Sequence, residues 1–433
     1  MKIKKNILLL IFLFLCAKSG FAFSGGDTLA LSLKEAVYMG LEHNKQLRSS
    51  EKNIEIYKVR IKESVSTGLP QINVKGNYST NFGHKIKFGE GASFKLEDQY
   101  NITGTIQQLL FSGEWIVGVQ TSKLAKKMAE EEFLINEAEL KNNIFNAYYL
   151  ILTNENFIKI MHENIRNMED ILEQNENMYR AGAIESTDVD QMRINLGQIR
   201  NSLSSMERTV TVNYNLLKLL LGMDSGKNIK LKNSLKEILD AETYRTILMQ
   251  KFDIEENLKF KLMQTNNDIQ KKMVELKKWG YAPTVSGSYN YTHKLRTAGF
   301  DMSPKSMASI NINIPLFNGL KKRAEVDKEK ISLEQSVLNK EFLKDQLFTE
   351  EQQLLFSLKN ATENYNLQKE NKEVASRILT KMTQKYRLGS ISSLELTQAN
   401  NNYLQAETNY ASAVLSLLQA ELQLRKLYNR FIY

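Results

Sequence analysis

The chain has 433 residues, with 58 Lys and Arg against 49 Asp and Glu and a hydrophobic share of 42%. Its formal charge of +9 is spread over helical stretches in which Lys and Glu are mixed, which describes a solvated surface and not a nucleic-acid footprint. One cysteine, Cys16, excludes a disulfide framework and a thiolate metal site.

Lys2, Lys4 and Lys5 precede an apolar run from Ile7 to Ala17 and a small-x-small site at Gly20-Phe-Ala22, so residues 1–22 read as a secretory signal peptide. Lipidation at Cys16 would need a small residue before it, and Leu15 is not small. Cleavage would remove four lysines (Lys2, Lys4, Lys5, Lys18), taking the formal charge from +9 to +5. Beyond that segment no apolar run approaches the roughly 18 residues of a membrane helix, so any membrane entry must be as a β-barrel.

Residues 31–67 read as one helix, from Leu33, Val37, Leu41, Leu47, Ile54, Ile61 and Val65, ended by Pro70. The period then switches to two: Ile72, Val74, Tyr78 and Phe82 alternate with Gln71, Asn73, Lys75, Asn77 and Ser79, which predicts a strand over about 71–82. A Gly- and charge-rich loop over 83–98 leads to a second strand at about 99–109. From Gly113 to Met178 no proline interrupts a helical run of about 100 Å at 1.5 Å per residue. Its 3.5-residue seam includes Ile144, Tyr148, Ile151, Ile158, Ile165, Met168, Leu172 and Tyr179, and is interrupted at Glu155, His162 and Asn175.

A break over 180–186 leads into a return helix, 187–221, and residues 223–254 read as an intercalated equatorial subdomain. The pattern then repeats. Residues 255–279 are helical, strands fall at about 284–292 and 307–316, a long helix spans 319–385, a break covers 387–393, and a return helix runs over 394–431. The two breaks share a sequence: Tyr179, Arg180, Gly182, Ile184, Ser186 and Gln191 fall on Tyr386, Arg387, Gly389, Ile391, Ser393 and Gln398 at one offset, with Asp188 on Glu395. Agreement without a gap marks a duplicated unit, 23–222 and 255–433. Glycine ends a helix at a left-handed C′ position, and Ser392 or Ser393 (Ser186 or Thr187 in the first copy) can cap the next, so each break is a hairpin tip.

Four strands cannot close a barrel, so the chain must oligomerise; eight strands would be filled by side chains, whereas twelve would leave a lumen. Apolar strand faces suit lipid and the Ser, Asn and Thr faces suit a wet interior. Trp115, Trp279 and Tyr281 flank the strand bases, where aromatic rings favour a membrane interface or pack as core.

Gly68-Leu-Pro70, Leu110-Phe-Ser-Gly113, Tyr-Arg-x-Gly at both tips and the two-copy order together resemble the TolC-like outer-membrane efflux proteins, over essentially the whole mature chain. The resemblance implies a mainly α fold with membrane strands: a homotrimer whose twelve-stranded barrel in the outer membrane of a Gram-negative bacterium continues into a long α-helical tunnel through the periplasm. It implies an exit duct for efflux or type I secretion, with outer-membrane lipid, a periplasmic adaptor and an inner-membrane RND, ABC or MFS pump as partners, and no cofactor. Arg180, Ala181, Gly182, Ala183, Arg387, Leu388, Gly389 and Ser390 become the adaptor-docking tips. The periplasmic gate falls on Glu395 and Gln398, with Asp188 in the first copy; Gln398 lacks the family's carboxylate, which leaves one acidic ring in place of two, and Glu395 reads equally as a solvated first-turn glutamate stabilised by the helix N-terminus.

An enzyme is the rival class, but HExxH, GxSxG, P-loop and dinucleotide fingerprints are absent and the four histidines, His43, His84, His162 and His293, are scattered. A coiled-coil adhesin or tether leaves the four amphipathic strands unexplained. A stand-alone porin leaves the long helices and duplicated tips without a role.

Overall fold

The structure, a computed structural model, describes residues 28–88, 92–95, 98–240, 251–296 and 303–431. The signal-peptide expectation therefore lies outside the described residues. The chain runs β1 (Leu29–Leu31), α1 (Leu33–His43), α2 (Lys45–Ser66), β2 (Gln71–Ser79), β3 (Lys85–Phe88), β4 (Ala92–Lys95), β5 (Gln99–Phe111), α3 (Gly113–Arg180) and α4 (Ser186–Leu220). It continues through β6 (Ile229–Leu231), α5 (Leu235–Asp240), α6 (Leu258–Trp279), β7 (Thr284–Arg296), β8 (Ser306–Asn313), α7 (Lys321–Arg387) and α8 (Ser393–Leu427). Among the described residues no helix is long and apolar enough to cross a membrane.

β2, β5, β7 and β8 form one antiparallel sheet in that order, with β2 and β8 as edges. The register sets Ile72, Ile106, Tyr289 and Ala308 in one cross-strand row and Lys75, Thr103 and Thr292 in another on the opposite face. The apolar face is bare: Ile72 and Val74 are 72% and 70% exposed, Ile310 and Ile312 71% and 63%. The polar face is laced by side-chain hydrogen bonds, Thr103 to Thr292 at 3.1 Å, Thr105 Oγ1 to Asn290 Oδ1 at 2.7 Å and Ser288 to Ser309 at 2.8 Å. Such cross-strand pairs fix register on a face that has no packing to fix it.

α3 and α7, of 68 and 67 residues, each return through a shorter helix. The core is densest where α3 and α4 meet α1 and α8, around the fully buried Ile144, Tyr148, Ile151 and Leu217. Here β1 pairs in parallel with β6, and the Tyr148 hydroxyl lies 3.0 Å from Leu31 O and 2.9 Å from Asn233 Oδ1. Burial pushes that phenol up to about 12, so it stays a neutral donor at any physiological pH.

Several elements differ from the sequence reading. Residues 31–67 form two helices, because Asn44 leaves the helical region at ψ 122° and caps the second one, its Oδ1 accepting from Leu47 N at 2.9 Å. The loop after β2 holds the β3–β4 hairpin, and the 223–254 region contributes β6, a partner for the unforeseen β1. The part of that region at 241–250 lies outside the described residues. The last return helix stops at Leu427, since Asn429 takes a left-handed φ of 52°, and Phe431 turns back onto Phe145 at 6.1 Å between ring centroids.

Asn44 also clasps the other end of its unit: its Nδ2 donates to Leu220 O, at the last residue of α4, at 2.9 Å. The second copy repeats this with Asn257, whose Oδ1 accepts from Lys259 N and Phe260 N and whose Nδ2 donates to Leu427 O at 2.9 Å. Both asparagines are buried, and the Asn257 bond to Leu427 O is buried with them. Asn44→Ala and Asn257→Ala are each expected to destabilise the fold by about 1–3 kcal/mol, through a lost cap and an orphaned carbonyl. The check is urea unfolding followed by far-UV circular dichroism. An Asn→Ser variant at either position, short but still a cap, should recover part of the loss.

Candidate functional site at the hairpin tips

Helix α3 is capped at its C-terminus by Ala181 and α7 by Leu388, and the two tips close alike. Gly182 and Gly389 take φ of 73° and 70°. The amide two residues past each cap reaches back, Ala183 N to Met178 O and Ser390 N to Lys385 O, both at 2.9 Å. This is the Schellman arrangement, which needs a left-handed residue. No atom lies within 4 Å of where a Cβ would sit on either glycine, so backbone conformation and not crowding demands glycine here. All eight tip residues, Arg180, Ala181, Gly182, Ala183, Arg387, Leu388, Gly389 and Ser390, are exposed, and Leu388 is 81% exposed at the extremity.

The chain re-enters helix differently at the two tips. Ser392 caps α8 in a full capping box with Glu395, whereas α4 starts after Glu185 with no side-chain cap, so neither Ser186 nor Thr187 does the expected capping. Beside the first tip, Tyr179, Arg180, Ser186 and Val189 line an open hollow of about 310 Å³. On its wall Arg193 sits 2.8 Å from Glu176 and 3.5 Å from Asp190.

The gate positions have three separate fates. Glu395 Oε2 accepts from Ser392 N at 2.8 Å and from Ser392 Oγ at 2.9 Å, which holds its carboxyl below the usual range. Its charge is turned back on its own helix end. Gln398 Nε2 donates to Asn402 Oδ1 one turn along the same helix. Asp188 alone crosses between hairpins, its Oδ1 accepting from Ser393 Oγ, so the first turns of α4 and α8 are bonded together.

A second cross-link lies one turn above, where Tyr386 OH donates to Asn175 Oδ1 at 2.8 Å. Asn175 was not among the expected site residues, yet it carried a signal as a polar interruption of an apolar seam. The other two interruptions also find polar partners, but within their own hairpin: Glu155 Oε1 accepts from Tyr214 OH at 2.7 Å, and His162 Nε2 lies 3.5 Å from Glu207 Oε1. Away from the tips, Glu407 is buried on α8 beside Lys372 of α7 at 3.4 Å, and the Lys372 ammonium sits 4.4 Å over the Tyr410 ring.

At the strand bases, Trp279 and Tyr281 are 39% and 48% exposed, with Trp279 edge-on to Phe111 and packed on Gly113. Trp115 differs: its indole packs on Gly68 and donates to Ser64 O at 2.8 Å, which makes it a packing residue joining α3 to α2. Among the described residues no group of three or more His, Cys, Asp or Glu could hold a metal ion.

The exposed paired tips, the long helices and the two-faced sheet coincide with a known pattern. The family model described as outer membrane efflux protein matches residues 36–223 and 255–430. A probable efflux pump outer membrane protein, TtgC of Pseudomonas putida, is 22% identical over 406 residues, covering 91% of this chain and 82% of that one. Among solved structures, CusC superposes with a TM-score of 0.77 at 16% identity, over 95% of this chain and 96% of that chain. The Campylobacter jejuni CmeC outer membrane channel does so with a TM-score of 0.72 at 16% identity, over 94% and 90%. The chain belongs to the outer membrane efflux protein family.

Proposed function

We propose that this protein is the outer-membrane exit duct of a tripartite efflux pump, a passive conduit and not an enzyme. It takes substrate from an inner-membrane pump through a periplasmic adaptor docked at the two tips. The observation that carries this reading is the pairing of a sheet with a bare apolar face and two open edges with helices of about 100 Å that end in two exposed, sequence-matched tips.

The internal repeat supports closure by three copies. Within one copy β5 of the first repeat pairs with β7 of the second, so β8 pairing with β2 of the next copy would repeat that junction until twelve strands close. The helices leave the matching vacancy. α6 packs between α3 and α7, whereas its repeat mate α2 packs chiefly on α3. Ile56 and Val59 on α2, and Ile331, Leu338 and Phe342 on α7, remain 49–70% exposed, and the next copy would cover them. The outward apolar face would then meet lipid, with Trp279 and Tyr281 at the inner interface. Exit-duct function, and not the adhesin or the free-standing porin, uses every one of these features.

In this reading the Asp188–Ser393 and Tyr386–Asn175 bonds hold the periplasmic end shut, and Glu395 serves as a helix cap. Asp188→Ala and Tyr386→Phe are expected to raise the open fraction in single-channel recordings from planar bilayers, while Glu395→Ala leaves it near wild type. An effect of Glu395→Ala as large as that of Asp188→Ala would return the gate to Glu395.

The docking role is checked with a photo-cross-linking residue in place of Leu388 in cells. It should capture a periplasmic adaptor, and Gly182→Val with Gly389→Val should abolish capture and pump-dependent drug tolerance. A β-branched residue in the left-handed region costs about 1–2 kcal/mol per tip, too little to unfold the chain. Bilayer conductance should persist in that variant.

A further inference from the structure

In each hairpin one strand outruns its partner. β2 begins where Gln71 pairs with Gln107, and β5 continues from Gln108 to Phe111 with only β7 of the second repeat beside it. β7 begins where Thr284 pairs with Asn313, and Ile314 to Phe317, the match of Gln108 to Phe111, belong to no strand. The match holds pair by pair. With Phe111 set on Phe317 and Pro70 on Pro283, all eight β7–β8 pairs, Thr284–Asn313 to Tyr291–Ser306, fall on the β2–β5 pairs Gln71–Gln107 to Tyr78–Tyr100.

The two continuations fare differently. Phe111 lies edge-on to Trp279 and is 39% exposed, whereas Phe317 is 82% exposed, with Ile314 and Leu316 bare beside it. Ser112 caps α3 directly, its Oγ accepting from Trp115 N at 3.2 Å. Its match, Asn318, accepts through Oδ1 from Lys322 N only at 3.5 Å. Gly319 and Leu320 take left-handed φ of 62° and 64°, and α7 begins at Lys321 and not at Gly319, the match of Gly113. The Cβ of a leucine disfavours that conformation, and Leu320 is exposed, so packing does not compensate.

We infer that Ile314 to Leu320 is the lock between copies: it extends β8 along β2 of a second copy of this chain, in the register that β5 already keeps with β7. This rests on the exit-duct reading, in which those two edges meet. Carried over from Thr105–Asn290, Gly104–Tyr291 and Gln108–Gly287, the register sets Asn311 opposite the next copy's Asn77, Ile310 opposite its Tyr78 and Ile314 opposite its Val74. Past the irregularity between Leu109 and Phe111, the Phe111–Val285 pair places Phe317 opposite the next copy's Ile72. Pro315, the match of Leu109, falls at that irregularity, where a missing N–H is tolerated. Every pair joins like faces, polar to polar and apolar to apolar, and a slip by one residue would set the isoleucines of β8 on the wet side. Bedded in this way the segment takes the form seen in the first repeat, with Asn318 capping a helix that starts at Gly319.

The test is cysteine cross-linking of the full-length protein in cells, since its one cysteine, Cys16, falls in the expected signal peptide. Within one copy β2 and β8 stand three strand spacings apart, about 14 Å, beyond the roughly 7 Å that a disulfide tolerates, so a bond between them joins copies. Asn77→Cys with Asn311→Cys should give covalent dimers and trimers on non-reducing gels, about fivefold or more above Asn73→Cys with Asn311→Cys, which needs a slip along the strand. Asn318→Ala should lower the temperature at which the trimer dissociates on gels, while Asn318→Ser, the residue type of the first repeat, keeps it. Equal cross-linking of the slipped pair, or none from either pair in trimers that conduct in planar bilayers, overturns the register and leaves the duct intact. Asn318→Ala and Asn318→Ser behaving alike overturns the rewinding of α7. Trimers that cross-link in register but carry no current overturn the duct reading alone, and a wild type that forms no trimer overturns both.

Discussion

A backbone hydrogen-bonding group has no partner in hydrocarbon, and the rest of this molecule follows from that. One copy supplies four strands whose outer face is apolar and whose two edges are open. In water such edges would aggregate; in lipid they are not permitted unless they close. The chain cannot close them alone, so in the proposed duct the sheet is a fraction of a barrel. The duplicated sequence makes this economical, because a contact already present between the first and second repeats can be reused between copies.

The same logic sets the helices. Each strand pair sits between a shorter helix and one of 67 or 68 residues, and the two long helices are held apart by shorter ones, with α6 and α8 each packing on both. Helices of that length drift against one another unless something fixes their register. Apolar packing resists separation but tolerates sliding; polar groups at single seam positions do not. Asn175 with Tyr386, Glu155 with Tyr214, and Asn164 Nδ2 with Asn400 Oδ1 at 2.6 Å are register marks of this kind. Asn44 and Asn257 add a clasp at the opposite end of each unit, where a helix start meets the end of its own return helix.

Much of this was legible in the residues. Alternation in 71–82, 99–109, 284–292 and 307–316 and the seam from Ile144 to Tyr179 are strictly periodic patterns, and they define a mainly α fold with amphipathic membrane strands. The tip glycines were legible because a left-handed position has few tolerable residues. What escaped was decided by partners remote in sequence. Nothing within 31–67 tells Asn44 to break a helix; the carbonyl of Leu220, 176 residues away, gives its side chain a second use. β1 is too short to show a period and exists because β6 supplies its ladder. Among the candidate site residues, Asp188 and Glu395 occupy matching positions in the two copies, but only Glu395 stands three residues after a serine, Ser392, the capping-box spacing that folds its carboxylate onto its own helix end; Asp188 follows Glu185, which caps nothing, and its partner Ser393 lies 205 residues away.

The distribution of bond types along the helices bears on where such a duct could open. Around Ile144, Tyr148 and Ile151 the helices meet through fully buried side chains, and separating them would expose a continuous apolar surface. Removing even one large side chain from such a core typically costs about 2–5 kcal/mol. The last turn before the tips is different: beyond Leu396, the hairpins are joined by Tyr386 to Asn175 and Ser393 to Asp188. Hydrogen bonds of this kind contribute about 0.5–1.5 kcal/mol net, because water replaces the lost partner when they part. A molecule built this way is stiff at its middle and cheap to spread at its end, and a partner bound to the exposed tips would act where the least free energy is needed to widen the passage.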